Sequence, residues 1–327
     1  MAPRFDAFPQ PLFPSANTAV STPGSVPAQV RADAKAVLEP VTLTSWSCEC
    51  TPTLCNRTLD ALERGRIVFL PCLAFELKER ERRFLSPAMS DGKAKNISFD
   101  PQTHSVSGTS LSGSEREDLA ALLERFGAQS HALLASLFPR YRTHLKRGRA
   151  SLRPARIGER KSSYRKDDTR LHTDAFSSQP VQGRRILRVF SNIDPAGKER
   201  VWRVGETFGV CAQRFLPRRS HALPGTATLL QALGITKGRR TAYDRMMLAL
   251  HNRAKADIEW QRMAIRAEFA FPAGSTWIVY TDRVLHAAIA GQHALEQTFY
   301  LPIAAMADPE QSPLRILESL AGRSLLH

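Results

Sequence analysis

The stretch Ala264-Ile265-Arg266-Ala267-Glu268-Phe269-Ala270-Phe271, then Pro272-Ala273-Gly274, then Ser275-Thr276-Trp277-Ile278-Val279-Tyr280-Thr281, sets the fold class of this chain. Residues 264–271 alternate as a half-buried strand does, and 275–281 carry the aromatic and β-branched side chains that suit a pleated surface. Pro and Gly between them mark a turn. Working outward, 186–193 is β-rich, 201–204 is short and extended, and 297–301 is a last strand stopped by Pro302. Short strands with turn signals predict a barrel or jelly roll from residue 151 onward.

Helices surround that core in the reading. A helix over 240–261 interrupts the strands, and 313–326 forms a terminal one. N-terminally, 59–65 reads as a short helix ended by Gly65, 66–70 as a strand stopped by Pro71, and 76–84 as a charged helical segment. The clearest helix is 112–138. Ser114 and Glu117 fit a capping box, and Leu119, Leu122, Leu123 and Phe126, then Leu133, Leu134 and Leu137, recur at helical spacing before Pro139. Residues 140–170 are rich in Arg. The expected organisation is a flexible Pro/Ser/Ala-rich leader over 1–45 and a helix-rich region over 46–150 packing on the core. The core itself spans 151–306 with its inserted helix, and a helical tail spans 307–327. There is no internal repeat.

The chain has 327 residues, 43% of them hydrophobic, enough for a sizeable core. No apolar run reaches the ~18–20 residues of a membrane span. Residues 1–30 lack the apolar stretch of a secretory signal, so the expectation is a cytoplasmic protein. With 46 Lys+Arg against 31 Asp+Glu, the net charge is +15. That sign favours polyanions: nucleic acid, an anionic membrane surface, or a phosphorylated or acidic-sugar substrate. The five cysteines are odd in number, and Cys48, Cys50 and Cys55 lack a downstream C-x2-C partner. Reduced thiols are expected rather than disulfides or a zinc site.

Arg170-Leu171-His172-Thr173-Asp174 holds an H-x-D pair. On extended backbone, residues i and i+2 face one side, so His172 and Asp174 can offer a nitrogen and a carboxylate oxygen to one ion. His286 ends Asp282-Arg283-Val284-Leu285-His286, 286 − 174 = 112 residues beyond the carboxylate. Two His and one carboxylate are the facial triad of Fe(II) oxygenases, with coordination positions left open. His221, His251 and His293 are rival third ligands, His293 the most serious. Zinc hydrolysis is the alternative chemistry, but the expected H-E-x-x-H is absent. A non-catalytic jelly roll that binds sugar or lipid, and an oxygenase acting on another anionic substrate such as nucleic acid or protein, also stay open.

Longer blocks narrow the field. Lys95-Asn96-Ile97-Ser98-Phe99-Asp100, Arg165-Lys166-Asp167-Asp168-Thr169-Arg170-Leu171-His172-Thr173-Asp174-Ala175-Phe176 and Gly183-Arg184-Arg185-Ile186-Leu187-Arg188-Val189-Phe190 stand in the first half. Val201-Trp202-Arg203-Val204-Gly205-Glu206, Phe271-Pro272-Ala273-Gly274-Ser275-Thr276-Trp277 and Leu295-Glu296-Gln297-Thr298-Phe299-Tyr300-Leu301-Pro302 follow. Over residues 46–305 the chain resembles the Kdo hydroxylases. The resemblance implies an α+β fold with a double-stranded β-helix (jelly-roll) core, and a requirement for Fe(II), 2-oxoglutarate and O2. It implies hydroxylation of Kdo at C3 to Ko on a Kdo-containing lipid A precursor, with His172, Asp174 and His286 as metal ligands.

Related oxygenases often hold the far carboxylate of 2-oxoglutarate with an Arg shortly after the distal His. Here no Arg or Lys stands between His286 and Leu301. Arg188 is the expected anchor: it lies 188 − 174 = 14 residues past the Asp, in an apolar strand where it needs a counter-charge. Thr298 and Gln297 are expected to add bonds to the co-substrate, and Asn192 shares a strand face with Arg188. Arg165, Lys166, Arg170 and Arg184 are candidates for the anionic substrate, and Trp202 and Trp277 for the pocket wall. The charge then reads as peripheral contact with an anionic inner-membrane surface, and no nucleic acid is expected.

Overall fold

Residues 185 to 192 form a strand buried on both faces, and the rest of the fold is arranged around it. The computed structural model describes residues 34–47, 49–158, 163–216 and 231–326. Its strands are β1 (Leu38–Pro40), β2 (Ile67–Leu70), β3 (Ile97–Asp100), β4 (Ser105–Ser107), β5 (Lys146–Arg153), β6 (Arg185–Asn192), β7 (Arg200–Gly205), β8 (Ile265–Phe271), β9 (Thr276–Tyr280), β10 (His286–Ala290) and β11 (Ala294–Leu301). Its helices are α1 (Ala34–Val37), α2 (Pro52–Glu63), α3 (Gly113–Leu137), α4 (Phe208–Phe215), α5 (Ala242–Ala256), α6 (Ile258–Met263) and α7 (Pro313–Ala321). A large sheet runs β1-β2-β9-β6-β11-β5-β3-β4 and a small one β10-β7-β8. The expected mixed α and β class holds, and order extends below Trp46 because β1 pairs in parallel with β2.

The period of two along each strand divides the core into layers. On β6, Leu187 and Val189 pack beneath α2 and α3, while Phe190 faces the small sheet. On β9, Ile278 and Tyr280 take the helical side, and Trp277 and Val279 the inner side. Helix α3 lies on the large sheet because Leu119, Leu122, Leu123, Phe126, Leu133, Leu134 and Leu137 share its buried stripe. Full burial of such side chains contributes roughly 1.5–3 kcal/mol each. Its N-cap is Ser112, already extended, so the Ser114/Glu117 box is not used. A third core joins α4, α5 and α7 to Leu171 and Leu285, which immediately precede His172 and His286.

The expected helix over 240–261 is two helices. The Asp257 side chain accepts from the Trp260 N–H and starts α6 afresh. The Arg-rich stretch contains β5, which the composition concealed. Cys55 and Cys211 are buried and Cys50 and Cys72 are not; Cys48 lies outside the described residues.

Candidate metal centre

His172 lies outside the regular strands, yet it pairs like one with the first residue of β10. Each of His172 and His286 donates its N–H to the other's carbonyl, at 3.1 and 2.9 Å. Asp174 donates its N–H to the Thr281 carbonyl at 2.7 Å. Ligand atoms of His172, Asp174 and His286 then lie within 4.8 Å of one another, with all three residues buried. Each imidazole places Nδ1 on a backbone carbonyl, Arg170 at 2.8 Å and Val284 at 2.9 Å, which commits that nitrogen and leaves Nε2 for an ion. Burial holds both imidazoles below the ordinary His range, His172 well below, so they are neutral near pH 7. Burial opposes ionisation of Asp174, but the neighbouring Arg188 charge leads the effects that outweigh it and hold the carboxyl well below its usual range. Two neutral imidazoles and one carboxylate suit a divalent cation.

A cavity of about 190 Å³ opens in front of these atoms, between the two sheets. A ladder of charge crosses it. Asp168 is paired with Lys95 and, at 3.1 Å, with Arg153. Glu296 takes Arg153 at 2.6 Å through one oxygen and Arg188 at 2.7 Å through the other. Arg188 Nη2 in turn sits 3.1 Å from Asp174 Oδ2. Arg200 lines the same cavity with its Nε and Nη1 buried and without hydrogen-bond partners. Burial, then the charge of Arg153, lowers its pKa to about 9. Trp202 stacks on His286 with centroids 5.1 Å apart and planes 21° apart. A groove of about 640 Å³ continues outward, sharing Lys95, Arg153, Asp168 and Arg200 with the cavity and adding Lys166.

The remaining expected site residues divide. Arg188 lines the cavity. Thr298 stands opposite Arg188 on β11, on the same face but off the cavity wall. Gln297 points the other way: its amide donates to the Gly148 carbonyl at 3.0 Å, on the side of α3, because alternation puts it opposite in facing to Glu296 and Thr298. Asn192 is spent on the β6–β7 turn, donating to the carbonyls of Lys198 and Phe271, both at 2.9 Å. Arg170 is committed to Asp167 and the Lys255 carbonyl, and Arg184 to the Val181 carbonyl over the Tyr300 ring, so neither lines cavity or groove. Arg165 is exposed, its Nε on the Tyr164 hydroxyl. Trp202 walls the cavity; Trp277 stacks behind it on Phe190 and Phe271.

Among the rival ligands, His251 donates to or contacts backbone carbonyls, His293 lies by Asp194, and His221 falls outside the described residues. The residue reading missed Lys95, Arg153, Asp168, Arg200 and Glu296. Arg200, two positions before Trp202 on β7, and Glu296, two before Thr298 on β11, carried a usable signal of shared facing.

Comparison with known proteins supplies the family. A family model described as 3-deoxy-D-manno-oct-2-ulosonic acid (Kdo) hydroxylase matches residues 45–324. The chain is similar to a crystal structure of the Kdo hydroxylase KdoO, a non-haem Fe(II) alphaketoglutarate-dependent dioxygenase, in complex with alphaketoglutarate and Fe(III). The two are 45% identical over 88% of this chain and 97% of that one, with a TM-score of 0.84. The cobalt(II) complex gives 46%, 89%, 97% and 0.86. No curated protein matches the chain.

Proposed function

The chain belongs to the Kdo hydroxylase family, and from that premise we propose that it hydroxylates Kdo at C3, giving Ko in the lipopolysaccharide inner core. It is a 2-oxoglutarate-dependent dioxygenase using Fe(II), 2-oxoglutarate and O2. The observation that carries the proposal is the convergence of His172, Asp174 and His286, all buried, on one point of a cavity. The run β5-β11-β6-β9, opposite the H-x-D segment followed by β10-β7-β8, supports reading the core as a double-stranded β-helix. The core so read begins with β5, a few residues before the expected 151, and runs to 306; the residues from 46 up to β5 then serve as its support, and those from 307 as a tail.

His172, Asp174 and His286 would hold the iron through two neutral nitrogens and one carboxylate oxygen. Bound Fe(II), with 2-oxoglutarate and O2, supplies the oxidising power to put one oxygen atom into a substrate C–H bond, succinate and CO2 being the co-products. The protein prepares the charge. Lys95, Arg153, Arg188 and Arg200 face Asp168, Asp174 and Glu296, so the wall carries 4 − 3 = 1 excess positive charge before any metal. A dianionic co-substrate is favoured there, and Arg200 and Arg188 would take its carboxylate. Trp202 fixes the plane of His286. Lys95 and Lys166 at the groove, with exposed Arg165 beside it, would meet the anionic groups of the rest of the glycolipid. Peripheral contact with the cytoplasmic face of an anionic inner membrane belongs to the same proposal. It is supported by the net charge of +15, and no described helix is long and apolar enough to cross a membrane.

The test is direct. Purified protein with Fe(II), 2-oxoglutarate and Kdo-lipid A should yield product one oxygen heavier, with succinate in equal amount. His172→Ala should abolish both while keeping the native far-UV circular dichroism. No succinate above background from the wild type would overturn the proposal.

A further inference from the structure

Among the described residues, the segment from Leu171 to Asp174 behaves as a strand with a neighbour on one edge only. Its inner edge pairs with His286 and Thr281. Among the described residues, no strand runs along the outer edge. There the side chains of α5 and α6, the helices inserted between β7 and β8, take the backbone groups instead. Gln261 accepts from the Leu171 N–H at 2.7 Å and donates back to the Leu171 carbonyl at 2.9 Å. A second bond from the same amide, to the Ala254 carbonyl at 2.8 Å, ties it to the end of α5. His251 Nδ1 sits 2.9 Å from the Thr173 carbonyl, and its ring meets His172 edge-on at 5.2 Å.

The peptide planes show why this bears on the ligands. The plane joining residues 170 and 171 offers its carbonyl to His172 Nδ1 and its N–H to Gln261. The next plane offers its carbonyl to Gln261 and its N–H to His286. The plane joining 173 and 174 offers its carbonyl to His251 and its N–H to Thr281. Each is held from both sides, and a peptide so held cannot swing the side chain it carries. We propose that Gln261, seconded by His251, is a positioning residue of the metal centre, its side-chain amide replacing the missing neighbour strand and fixing the angle at which His172 and Asp174 are presented. The inserted helices are thereby part of the site's construction without touching the ion. The proposal rests on the reading of His172, Asp174 and His286 as metal ligands.

The experiment is a Co(II) titration of metal-free full-length protein, followed by visible absorption, alongside thermal unfolding. Gln261→Met keeps the length and apolar stem of the side chain and removes the amide; Co(II) affinity should fall about 10- to 100-fold, the range for lost outer-shell support. His251→Phe keeps the ring against His172 and removes the bond to Thr173, and should also weaken Co(II); it carries the test if the Gln261 variant does not fold. Trp260→Phe, which loses the bond to Glu206 and no bond to 171–174, is the control and should keep wild-type affinity. Wild-type Co(II) affinity in both Gln261→Met and His251→Phe would overturn the proposal, as would an equal loss in Trp260→Phe. A wild-type protein that bound no Co(II) would instead overturn the metal reading beneath it.

Discussion

Arg200 sits two residues from Trp202, buried, with two of its guanidinium nitrogens unpartnered. Arg188 satisfies the expectation that an Arg in an apolar strand has a counter-charge, but those counter-charges are Asp174 and Glu296 of the protein itself. A buried cation without a partner is costly unless something brings one. The two arginines should therefore separate in a 2-oxoglutarate titration. Hydrogen bonds to charged groups are worth about 1.5–3 kcal/mol, so Arg200→Leu should raise the 2-oxoglutarate KM about 10- to 150-fold with Co(II) affinity unchanged. Arg188→Ala should raise the 2-oxoglutarate requirement and weaken Co(II) as well, because it strips Asp174 of its neighbour. An unchanged KM in Arg200→Leu would reject its role. Residue-scale legibility follows the same physics. His172 and Asp174 were readable because facing alternates locally, whereas Glu296 reaches Arg153 across 143 positions and nothing local marks that pair.

The turn between β9 and β10 delivers His286, and its anchor is an ion pair. Arg185 and Asp282 are fully buried, joined at 2.7 and 3.1 Å, with Arg185 stacked 3.7 Å over Tyr280. Removing one partner leaves an uncompensated buried charge, a loss of about 3–5 kcal/mol. Asp282→Ala should lose that much in denaturant unfolding and bind Co(II) weakly, since the turn would release His286. Arg185→Met combined with Asp282→Leu should regain most of the stability, because the pair's desolvation cost goes with it. If the double variant were no better than Asp282→Ala, the pair would be more than charge compensation. Strands with apolar alternation or a β-branched and aromatic run, β8 in the first way and β6 and β9 in the second, were legible. β5 was not: Arg147 and Arg153 look like solvated charge until Glu124, Asp168 and Glu296 arrive from distant positions. The break at Asp257 was hidden because apolar periodicity continues across it while the capping bond restarts the helix.

At the scale of the molecule, the buried charges are close to balanced. Asp168, Asp174 and Glu296 are consumed at the cavity, Asp282 pairs with Arg185 in the turn after β9, and Glu124 and Glu268 pair with Arg147 and Arg203. Those acids are matched by Lys95, Arg153, Arg188, Arg200 and Arg185, so the cavity and its supports account for little of the +15 balance. A Lys or Arg near an anionic bilayer contributes about 1 kcal/mol, and the attraction decays over a Debye length of about 10 Å at about 0.1 M salt. The protein should therefore sediment with vesicles containing anionic lipid and leave them as salt rises from about 0.05 to about 0.5 M. Zwitterionic vesicles should retain none at any salt. Salt-insensitive binding to both kinds would mean that an apolar surface, not the charge, meets the membrane. No binding to either would confine the charge to recognition of the soluble part of the glycolipid.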